Sequence, residues 1–256
     1  PCPWLPVRLT AMPRYRMLIE YDGTAFSGWQ SQAEGTGVQD YLQRAILGFT
    51  GETIVLKGAG RTDAGVHALG QVCHFDIGKT LRTDTIRDAG NVHLRPHAIT
   101  IVSAEEVPES FDARFSAVRR HYRYRVFARR APPTLDRHLV WHVHAPLDVE
   151  RMADAAKVLL GRHDFTTFRS SDCQSKSPVK TLDQLDVVAA DGEIHFLVSA
   201  RSFLHNQVRS MVGGLRKVGD GRWTAADLKA SLDAADRRAC APVAPPEGLC
   251  LMRVDY

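Results

Sequence analysis

The order of strand-type and helix-type periodicity restricts the fold of this chain more than any other feature of its sequence. Apolar and polar residues alternate over 14–21 and again over 121–127, which is the period of a β-strand. Each segment is followed by stretches whose apolar residues recur at helical spacing. Two halves that each combine strands with helices predict an α+β protein with an internal pseudo-repeat. We expect a flexible leader over 1–13, an N-terminal subdomain over 14–112 and a C-terminal subdomain over 113–256.

Shorter patterns complete the predicted order of elements. The leader contains four prolines and little periodicity, and Met12 is a candidate for the native start because a strand pattern begins directly after it. An Asp191-Gly192 pair between two apolar segments predicts a hairpin. The other predicted strands are 53–57, 72–75, 99–104, 182–188, 194–200 and 249–255, and the predicted helices are 38–51, 83–91, 148–161, 204–215 and 224–234.

Composition excludes several classes of protein. Of the 256 residues, 44% are hydrophobic and 24% are charged, which is typical of globular domains and not of disordered chains or coiled coils. No apolar run reaches the ~18 residues of a membrane span. The first residues also lack the pattern of a signal peptide, so we expect a cytoplasmic protein. The five cysteines are scattered without a CxxC pair, which favours a reducing compartment over a disulfide framework or a zinc cluster.

The positive charge is concentrated in one part of the chain. The formal net charge is only +4, but 114–137 contains eight arginines and a single acidic residue, Asp136. Arginine forks match phosphate oxygens and stack on bases, so this cluster indicates a nucleic-acid partner. A GC-rich genome would also raise the arginine content, and that explanation stays open. The candidate RNA-binding residues of this arginine strip are Arg119, Arg120, Arg123, Arg125, Arg129 and Arg130.

The segment 58–67, GAGRTDAGVH, combines three glycines with one cation and one carboxylate, Arg61 and Asp63. Glycines allow a tight loop that a substrate backbone can approach closely. A carboxylate in such a loop can act as a nucleophile or a general base, and a nearby cation favours its ionised form. The same pattern would also fit a surface turn with an incidental ion pair. The residues alone leave both interpretations open.

Wider context favours the first interpretation. The segment 60–72, GRTDAGVHALGQV, resembles the signature of the tRNA pseudouridine synthase A family. Five further segments resemble that family in the same order along nearly the whole chain. Two departures are an extra residue before Pro96 and Gln207, which stands where the family usually has methionine. The matching segments are 21–30 (YDGTAFSGWQ), 111–124 (FDARFS followed by YRY), 164–169 (DFTTFR), 203–213 (FLH, VR and VG) and 247–249 (EGL).

The resemblance implies a fold, an activity and partners. It implies two ferredoxin- or RRM-like halves whose mainly antiparallel sheets join into one mixed sheet flanked by helices, with the active-site cleft between the halves. The implied activity is isomerisation of uridine to pseudouridine at positions 38–40 of the tRNA anticodon stem-loop. The reaction is redox neutral and adds no group, so we expect no cofactor and no metal. The family also implies a homodimer that grips tRNA across both subunits and does not bind a membrane.

The resemblance also assigns roles to four residues. The aspartate of the family signature is the catalytic nucleophile, which places that role on Asp63. The tyrosine that packs on the target base falls on Tyr122, and the helix arginine that pairs with the aspartate falls on Arg209. Arg61 is implied to help flip and hold the nucleotide.

Several alternatives remain at the level of sequence. The chain could be a non-catalytic RNA-binding module, or a glycoside or nucleoside hydrolase, although such hydrolases usually place two carboxylates across the scissile bond. Tyr122 could be an ordinary core residue of a strand. His142 and His144 share a strand face but lack an evident third metal ligand. His67 and His205 are expected to support the site structurally.

Overall fold

The computed structural model describes residues 12–256. The predicted leader over 1–13 falls almost entirely on residues outside this range, so neither its flexibility nor a start at Met12 is tested. Within the described range the chain forms ten strands and five α-helices. The strands are β1 (Arg14–Tyr21), β2 (Lys57–Gly58), β3 (His67–Asp76), β4 (Ile99–Val107), β5 (Arg119–Ala128), β6 (Trp141–Val143), β7 (Gly161–Asp164), β8 (Val179–Ala190), β9 (Glu193–Ala200) and β10 (Leu249–Asp255). The helices are α1 (Val38–Thr50), α2 (Thr83–Leu94), α3 (Val149–Ala156), α4 (Gln207–Gly219) and α5 (Ala225–Asp233).

The strands of the described range form one mixed sheet in the order β4-β1-β3-β10-β5-β9-β8-β7, with β2 on β3 and β6 on β5. Strand pairing is antiparallel except for β10 with β3 and β5 with β6. The last strand, β10, therefore lies in the middle and joins the two halves of the sheet. The α+β class and the mixed, mainly antiparallel sheet predicted from the sequence are confirmed. The boundary predicted after residue 112 falls in the connection between β4 and β5 and stays a prediction.

Local signals explain where the helices begin and end. Helix α1 follows Gly37 and ends at Gly51, whose left-handed conformation (φ 73°) is the usual glycine termination. The side chain of Asp148 accepts a hydrogen bond from the first turn of α3, and Thr224 forms a reciprocal capping box with Asp227 at the start of α5. These caps stand at the boundaries that the sequence predicts.

The five helices pack on one face of the sheet and bury two hydrophobic cores. One core joins α1 and α2 to β1, β3 and β4, and the other joins α3, α4 and α5 to β5, β8 and β9. Leu249 and Leu251 project from the same side of β10, yet one belongs to each core. Tyr122 on β5 packs against both cores, so its ring marks the seam between the two halves.

The strand predicted at 53–57 is wrong, because only Lys57 and Gly58 pair with β3. The preceding residues bind side chains of α1 instead of a neighbouring strand. The Leu56 carbonyl accepts a hydrogen bond from Gln39 Nε2 at 2.7 Å, and its N–H donates to Gln43 Oε1 at 3.2 Å. Burial does alternate along this stretch, with Ile54 and Leu56 buried and Val55 exposed. Alternation alone cannot show that glutamine side chains replace a neighbouring strand as hydrogen-bond partners.

Candidate active site

The loop over residues 59–66, which we call the signature loop, connects β2 to β3 and is fixed at several backbone positions. The Gly60 carbonyl accepts a hydrogen bond from Gln71 Nε2 at 2.9 Å. The Thr62 carbonyl accepts one from the Trp29 N–H at 3.0 Å, and the Thr62 hydroxyl lies 2.8 Å from the Tyr21 hydroxyl. These contacts tie the loop to β1, to β3 and to the 28–30 segment. The loop is therefore a preorganised part of the fold.

Two glycines let the 23–28 segment approach this loop closely. A Cβ at Gly23 would lie 2.1 Å from the Val66 carbonyl oxygen, and one at Gly28 would lie 2.6 Å from the Thr62 oxygen. Gly28 also has a φ of 102°, which L side chains rarely adopt. The glycines of the YDGTAFSGWQ segment thus serve to seat the signature loop.

Replacing Gly23 by alanine is expected to lower the stability of the fold by about 2 kcal/mol, because the backbone of the loop must move to admit the methyl group. For a chain of this size that corresponds to a fall in Tm of roughly 5 °C. Thermal denaturation followed by circular dichroism measures it. Gly60→Ala is the matched control, because its Cβ would meet nothing within 4 Å. Equal Tm values for the two variants would contradict this account of the loop.

Asp63 stands in this loop between two nitrogen groups from the other half of the molecule. Its Oδ2 accepts a hydrogen bond from Arg209 Nη1 at 3.0 Å, and its Oδ1 lies 3.2 Å from His205 Nε2. The side chain of Asp63 is 24% exposed, that of Arg209 is 15% exposed and that of His205 is 40% exposed. The carboxylate is therefore held by a cation at Oδ2, has an imidazole near Oδ1 and remains partly exposed.

Arg209 is itself held in place by the backbone around it. Its Nε donates to the Ala244 carbonyl at 2.8 Å, and its Nη1 also donates to Asn206 Oδ1 at 2.9 Å. The segment near Ala244 lies against α4 because Gly213 has no side chain, and a Cβ there would lie 2.0 Å from the Pro242 oxygen. The Ala244 carbonyl and the Asn206 side chain thus fix the guanidinium, which presents a defined edge to its third acceptor, Asp63.

Tyr122 lies at the seam of the two halves, on the same side of the sheet as the helices. Its half-buried ring meets Phe203 edge-on, with 5.2 Å between ring centroids. Burial raises the pKa of its phenol, and the nearby charge of Asp63 raises that pKa further. The hydroxyl therefore stays protonated near neutral pH, and Tyr122 presents an uncharged aromatic surface beside Asp63.

Arg61 reaches across from the signature loop to the C-terminal half. Its Nη1 donates to Gln174 Oε1 at 2.8 Å, in the segment that follows Arg169. It does not contact Asp63 through a hydrogen bond or an ion pair within the described residues. The incidental ion pair between Arg61 and Asp63 is therefore excluded as an explanation of the motif, because the cation paired with Asp63 is Arg209.

The arginine strip does not form one surface. Arg120 shares the face of Tyr122, but its guanidinium is buried and donates to four carbonyl oxygens. These belong to Ala59, Arg114, Ala117 and Arg201. Burial lowers the pKa of Arg120 from its ordinary value. Arg120 thus fastens the signature loop to β5 through both of its Nη groups, and RNA binding by Arg120 stays a prediction.

The odd-numbered arginines of β5 point to the opposite face of the sheet. Arg123 and Arg125 line a cavity of about 420 Å³ there, together with Leu69 and Cys250. Arg125 is neutralised by Glu193 and Asp136, at 2.7 and 2.9 Å. Arg119 lies 3.3 Å from Asp183. The structure therefore separates these three residues from Tyr122, because neighbouring residues of a strand face opposite ways.

Arg129 and Arg130 are exposed at the end of β5, where the following segment returns towards the signature loop. Arg129 stacks on the Phe127 ring, with 4.0 Å to the ring centroid. The same segment carries Arg137 and His138, which line a surface depression with Gly65. Arg137 and His138 thus lie beside the signature loop, whereas Arg129 and Arg130 do not line this depression.

Three residues that position the site were not predicted from the sequence: Gln71, Asn206 and Gln174. Asn206 adopts a left-handed conformation (φ 64°) directly before α4, and an asparagine before a helical pattern is a recognisable signal for such a turn. Gln71 stands inside a strand pattern with a fully buried side chain, which no periodicity predicts. Gln174 lies in a polar segment without periodicity, so the sequence carries no signal for its contact.

Within residues 12–256 no group of three or more histidine, cysteine or acidic side chains could hold a metal ion. His142 and His144 lie together, with 4.4 Å between their ring centroids, but no third ligand joins them in that range. Cys73, Cys173, Cys240 and Cys250 are free thiols. No helix of the described range is long and apolar enough to cross a bilayer.

The fold and the site together define an α+β protein with one carboxylate set between an arginine, a histidine and an aromatic ring at the seam of two halves. Comparison with known proteins shows the family of this chain. A family profile described as tRNA pseudouridine synthase matches residues 17–116 and 155–256. The chain therefore belongs to the tRNA pseudouridine synthase family.

Curated relatives are similar over nearly the whole chain. A tRNA pseudouridine synthase A from Afipia carboxidovorans is 61% identical over 245 residues, which cover 96% of this chain and all of the relative. Proteins of the same name from Parvibaculum lavamentivorans and Xanthobacter autotrophicus are 59% and 57% identical, with the same coverage. The resemblance deduced from the sequence motifs is thereby confirmed.

Proposed function

We propose that this chain isomerises uridine to pseudouridine at positions 38–40 of the tRNA anticodon stem-loop, with Asp63 as the catalytic nucleophile. The observation that carries the proposal is the placement of Asp63, ion-paired to Arg209 in the cleft and close to the ring of Tyr122. The substrate class is supported by the family to which the chain belongs. Incubating unmodified tRNA transcripts that carry uridine at 38, 39 or 40 and analysing the nucleosides tests it. A nucleoside of unchanged mass but altered linkage at those positions is expected, and modification elsewhere would contradict the assignment.

The reaction exchanges two bonds of the same sugar carbon. The bond between C1′ and N1 of uracil breaks, the ring turns, and a bond between C1′ and C5 forms. The hydrogen on C5 leaves as a proton and N1 takes one up, so no electrons are gained or lost. A carboxylate acting on the sugar is sufficient for this chemistry, and we assign that role to Asp63. The redox balance supports the expectation that no cofactor is needed.

Access to C1′ requires the target base to leave its stack, which costs a few kcal/mol. The ring of Tyr122 offers a replacement surface for the flipped base, worth about 1–3 kcal/mol. Arg61 is proposed to hold the nucleotide from the opposite lip of the cleft. Its bond to Gln174 joins the cation to an uncharged acceptor at an exposed site, so a phosphate oxygen can replace that acceptor at little cost. We further propose a cytoplasmic homodimer that holds one tRNA across both subunits.

Tyr122→Ala is expected to reduce the single-turnover rate by about 5- to 150-fold, the equivalent of roughly 1–3 kcal/mol of lost stacking. Tyr122→Phe keeps the ring and is the matched control. We expect it to react within a few-fold of the parent protein, because the hydroxyl that it removes is uncharged near neutral pH. Rapid-quench assays on both variants measure the difference. A phenylalanine variant as slow as the alanine variant would show that the hydroxyl, and not the stacking surface, carries the role.

RNA binding by the exposed end of the arginine strip is proposed for Arg129 and Arg130. The logarithm of the tRNA-binding constant falls linearly with the logarithm of the salt concentration. Replacing both arginines by alanine is expected to make this line less steep by about 0.7–0.9 for each phosphate that is no longer neutralised. Filter-binding titrations over a series of salt concentrations measure the slope. Arg82→Ala with Arg87→Ala is a control of equal charge, since both of these arginines are exposed and paired with neighbouring aspartates on α2. Equal slopes for the two double variants would remove 129–130 from the RNA surface.

A further inference from the structure

Among residues 12–256, His205 is the imidazole in contact with Asp63. The proposed reaction also has a proton step without an assigned acceptor. The proton on C5 must be removed after the new carbon–carbon bond forms. Its C–H electron pair then restores the C5=C6 double bond of the ring. This inference rests on the proposed function and deepens it. The question is which side chain near Asp63 can accept that proton.

The other side chains around Asp63 are poorly suited to accept it. The guanidinium groups of Arg61 and Arg209 carry donors only and have no lone pair for a proton. The phenol of Tyr122 remains protonated near neutral pH, because its pKa is raised. Asp63 is a carboxylate again by this step, but its Oδ2 is bound by Arg209 and its Oδ1 faces His205. The imidazole of His205 also has a lone pair for the proton, and it is more exposed to solvent than Asp63.

The geometry around His205 fits proton transfer. Its Nε2 lies 3.2 Å from Asp63 Oδ1 without the alignment of a hydrogen bond, and its Nδ1 has no hydrogen-bond partner within residues 12–256. A carboxylate poised to act on C1′ stands about 3–3.5 Å from that carbon, and in the rearranged product C5 is bonded to the same carbon. C1′ and the imidazole of His205 both adjoin the Asp63 carboxylate, so transfer of the C5 proton to the imidazole needs at most a short relay through water. The 40% exposure of the imidazole lets the proton pass to solvent.

The position of His205 is also defined by the fold. Its backbone carbonyl accepts a hydrogen bond from the Ser170 N–H at 3.0 Å, which ties it to the 165–170 segment. The next residue, Asn206, adopts the left-handed turn that begins α4 and binds Arg209. The same turn thus places the cation on one oxygen of Asp63 and the imidazole on the other.

From this arrangement we infer that His205 accepts the C5 proton in the last chemical step of the reaction. The C5–H bond breaks, its electron pair forms the C5=C6 double bond, and the proton passes to a ring nitrogen of His205 and then to water. Asp63 has already been released as a carboxylate when the C1′–C5 bond forms. N1 takes up one proton, so the enzyme ends the cycle in the state in which it began it.

The test compares single-turnover rates on tRNA transcripts that carry hydrogen or deuterium at C5 of uridine. His205→Gln, which retains a polar side chain but is not a base, is expected to be about 10²-fold slower or more. It should also show a larger C5 isotope effect than the parent protein, because proton removal becomes rate-limiting. His93→Gln, an exposed histidine on α2, is the control and should match the parent protein in both rate and isotope effect.

Each outcome decides the inference. A rate within two-fold of the parent protein overturns it, and so does a slow variant whose isotope effect is unchanged, since a merely structural role would slow the reaction without altering that effect. His205→Asn is assayed in parallel, and loss of tRNA binding in both variants would assign the residue to RNA binding and also overturn the inference. An inactive parent protein would instead contradict the proposed function.

Discussion

Asp63→Asn is expected to reduce pseudouridine formation by about 10⁴-fold or more while tRNA affinity stays within a few-fold of the parent value. The amide keeps the size of the side chain and can still accept a hydrogen bond from Arg209, so the fold of the signature loop should survive. What is lost is the ionised oxygen that acts on the sugar. Single-turnover assays and equilibrium tRNA binding, measured on the same preparation, separate the two effects.

The control is Asp154→Asn, an exposed aspartate on α3 whose side chain pairs with Lys157. It changes the net charge by the same amount and should leave both quantities unchanged. Substantial activity in the Asp63 variant would mean that another group attacks the substrate. A parallel loss of activity and tRNA affinity would mean that the substitution disturbs binding and not the chemistry.

The second large effect is expected at Arg209. Arg209→Ala removes the cation from Asp63 and leaves the Ala244 carbonyl and the Asn206 amide without a donor. We expect the rate to fall by about 10²–10³-fold, as for the loss of a preorganised charged donor. The fold should lose about 2 kcal/mol, less than for a fully buried pair because both side chains are partly exposed. Arg209→Lys keeps the charge but cannot reach all three acceptors, so it should lie between the parent protein and the Arg209→Ala variant in both respects.

Arg216→Ala is the matched control for this prediction. Arg216 lies seven residues later on α4 and pairs with Asp220 at 3.0 Å, away from Asp63. Chemical denaturation should show a loss of stability for this variant as well, but its single-turnover rate should remain near that of the parent protein. If Arg209→Ala proved as active as Arg216→Ala, the ion pair to Asp63 would have no part in catalysis.

Much of the fold follows from the sequence because its signals are local. The strand at 14–21 is found with the predicted bounds. Three helices begin directly after a residue that favours a helix start, namely Gly37, Asp148 and Thr224. The hairpin at Asp191-Gly192 joins β8 to β9, with both residues at positive φ. Periodicity and capping chemistry are properties of neighbouring residues, so these predictions need no knowledge of the tertiary structure.

The features of the site that could not be predicted depend on contacts between segments that are distant in the sequence. Alternation along β5 indicates that Tyr122 and Arg123 face opposite ways, but it cannot show which face meets the cleft. That depends on the helices packing on one side of the sheet. The burial of Arg120 likewise depends on four carbonyls supplied by three separate segments. A high density of arginine in the sequence therefore does not by itself define an RNA-binding surface.

The short distance between Asp63 and Arg209 also depends on contacts between distant segments. Asp63 and Arg209 are 146 positions apart, and the pairing of β10 with both β3 and β5 joins the two halves of the sheet that carry them. The motif resemblance predicted their pairing, and the structure places them 3.0 Å apart. The resemblance could not predict that His205 approaches the second oxygen of Asp63, because the left-handed turn at Asn206 determines that geometry.

The most direct test of the central claim follows the hydrogen at C5. Unmodified tRNA transcripts carrying tritium at C5 of uracil are incubated with the protein and, in parallel, with its Asp63→Asn variant. The account predicts that the parent protein releases tritium to water in step with pseudouridine formation, that no free uracil appears, and that the variant releases none. Release of uracil would instead identify a hydrolase, and tritium release by the variant would contradict the role of Asp63.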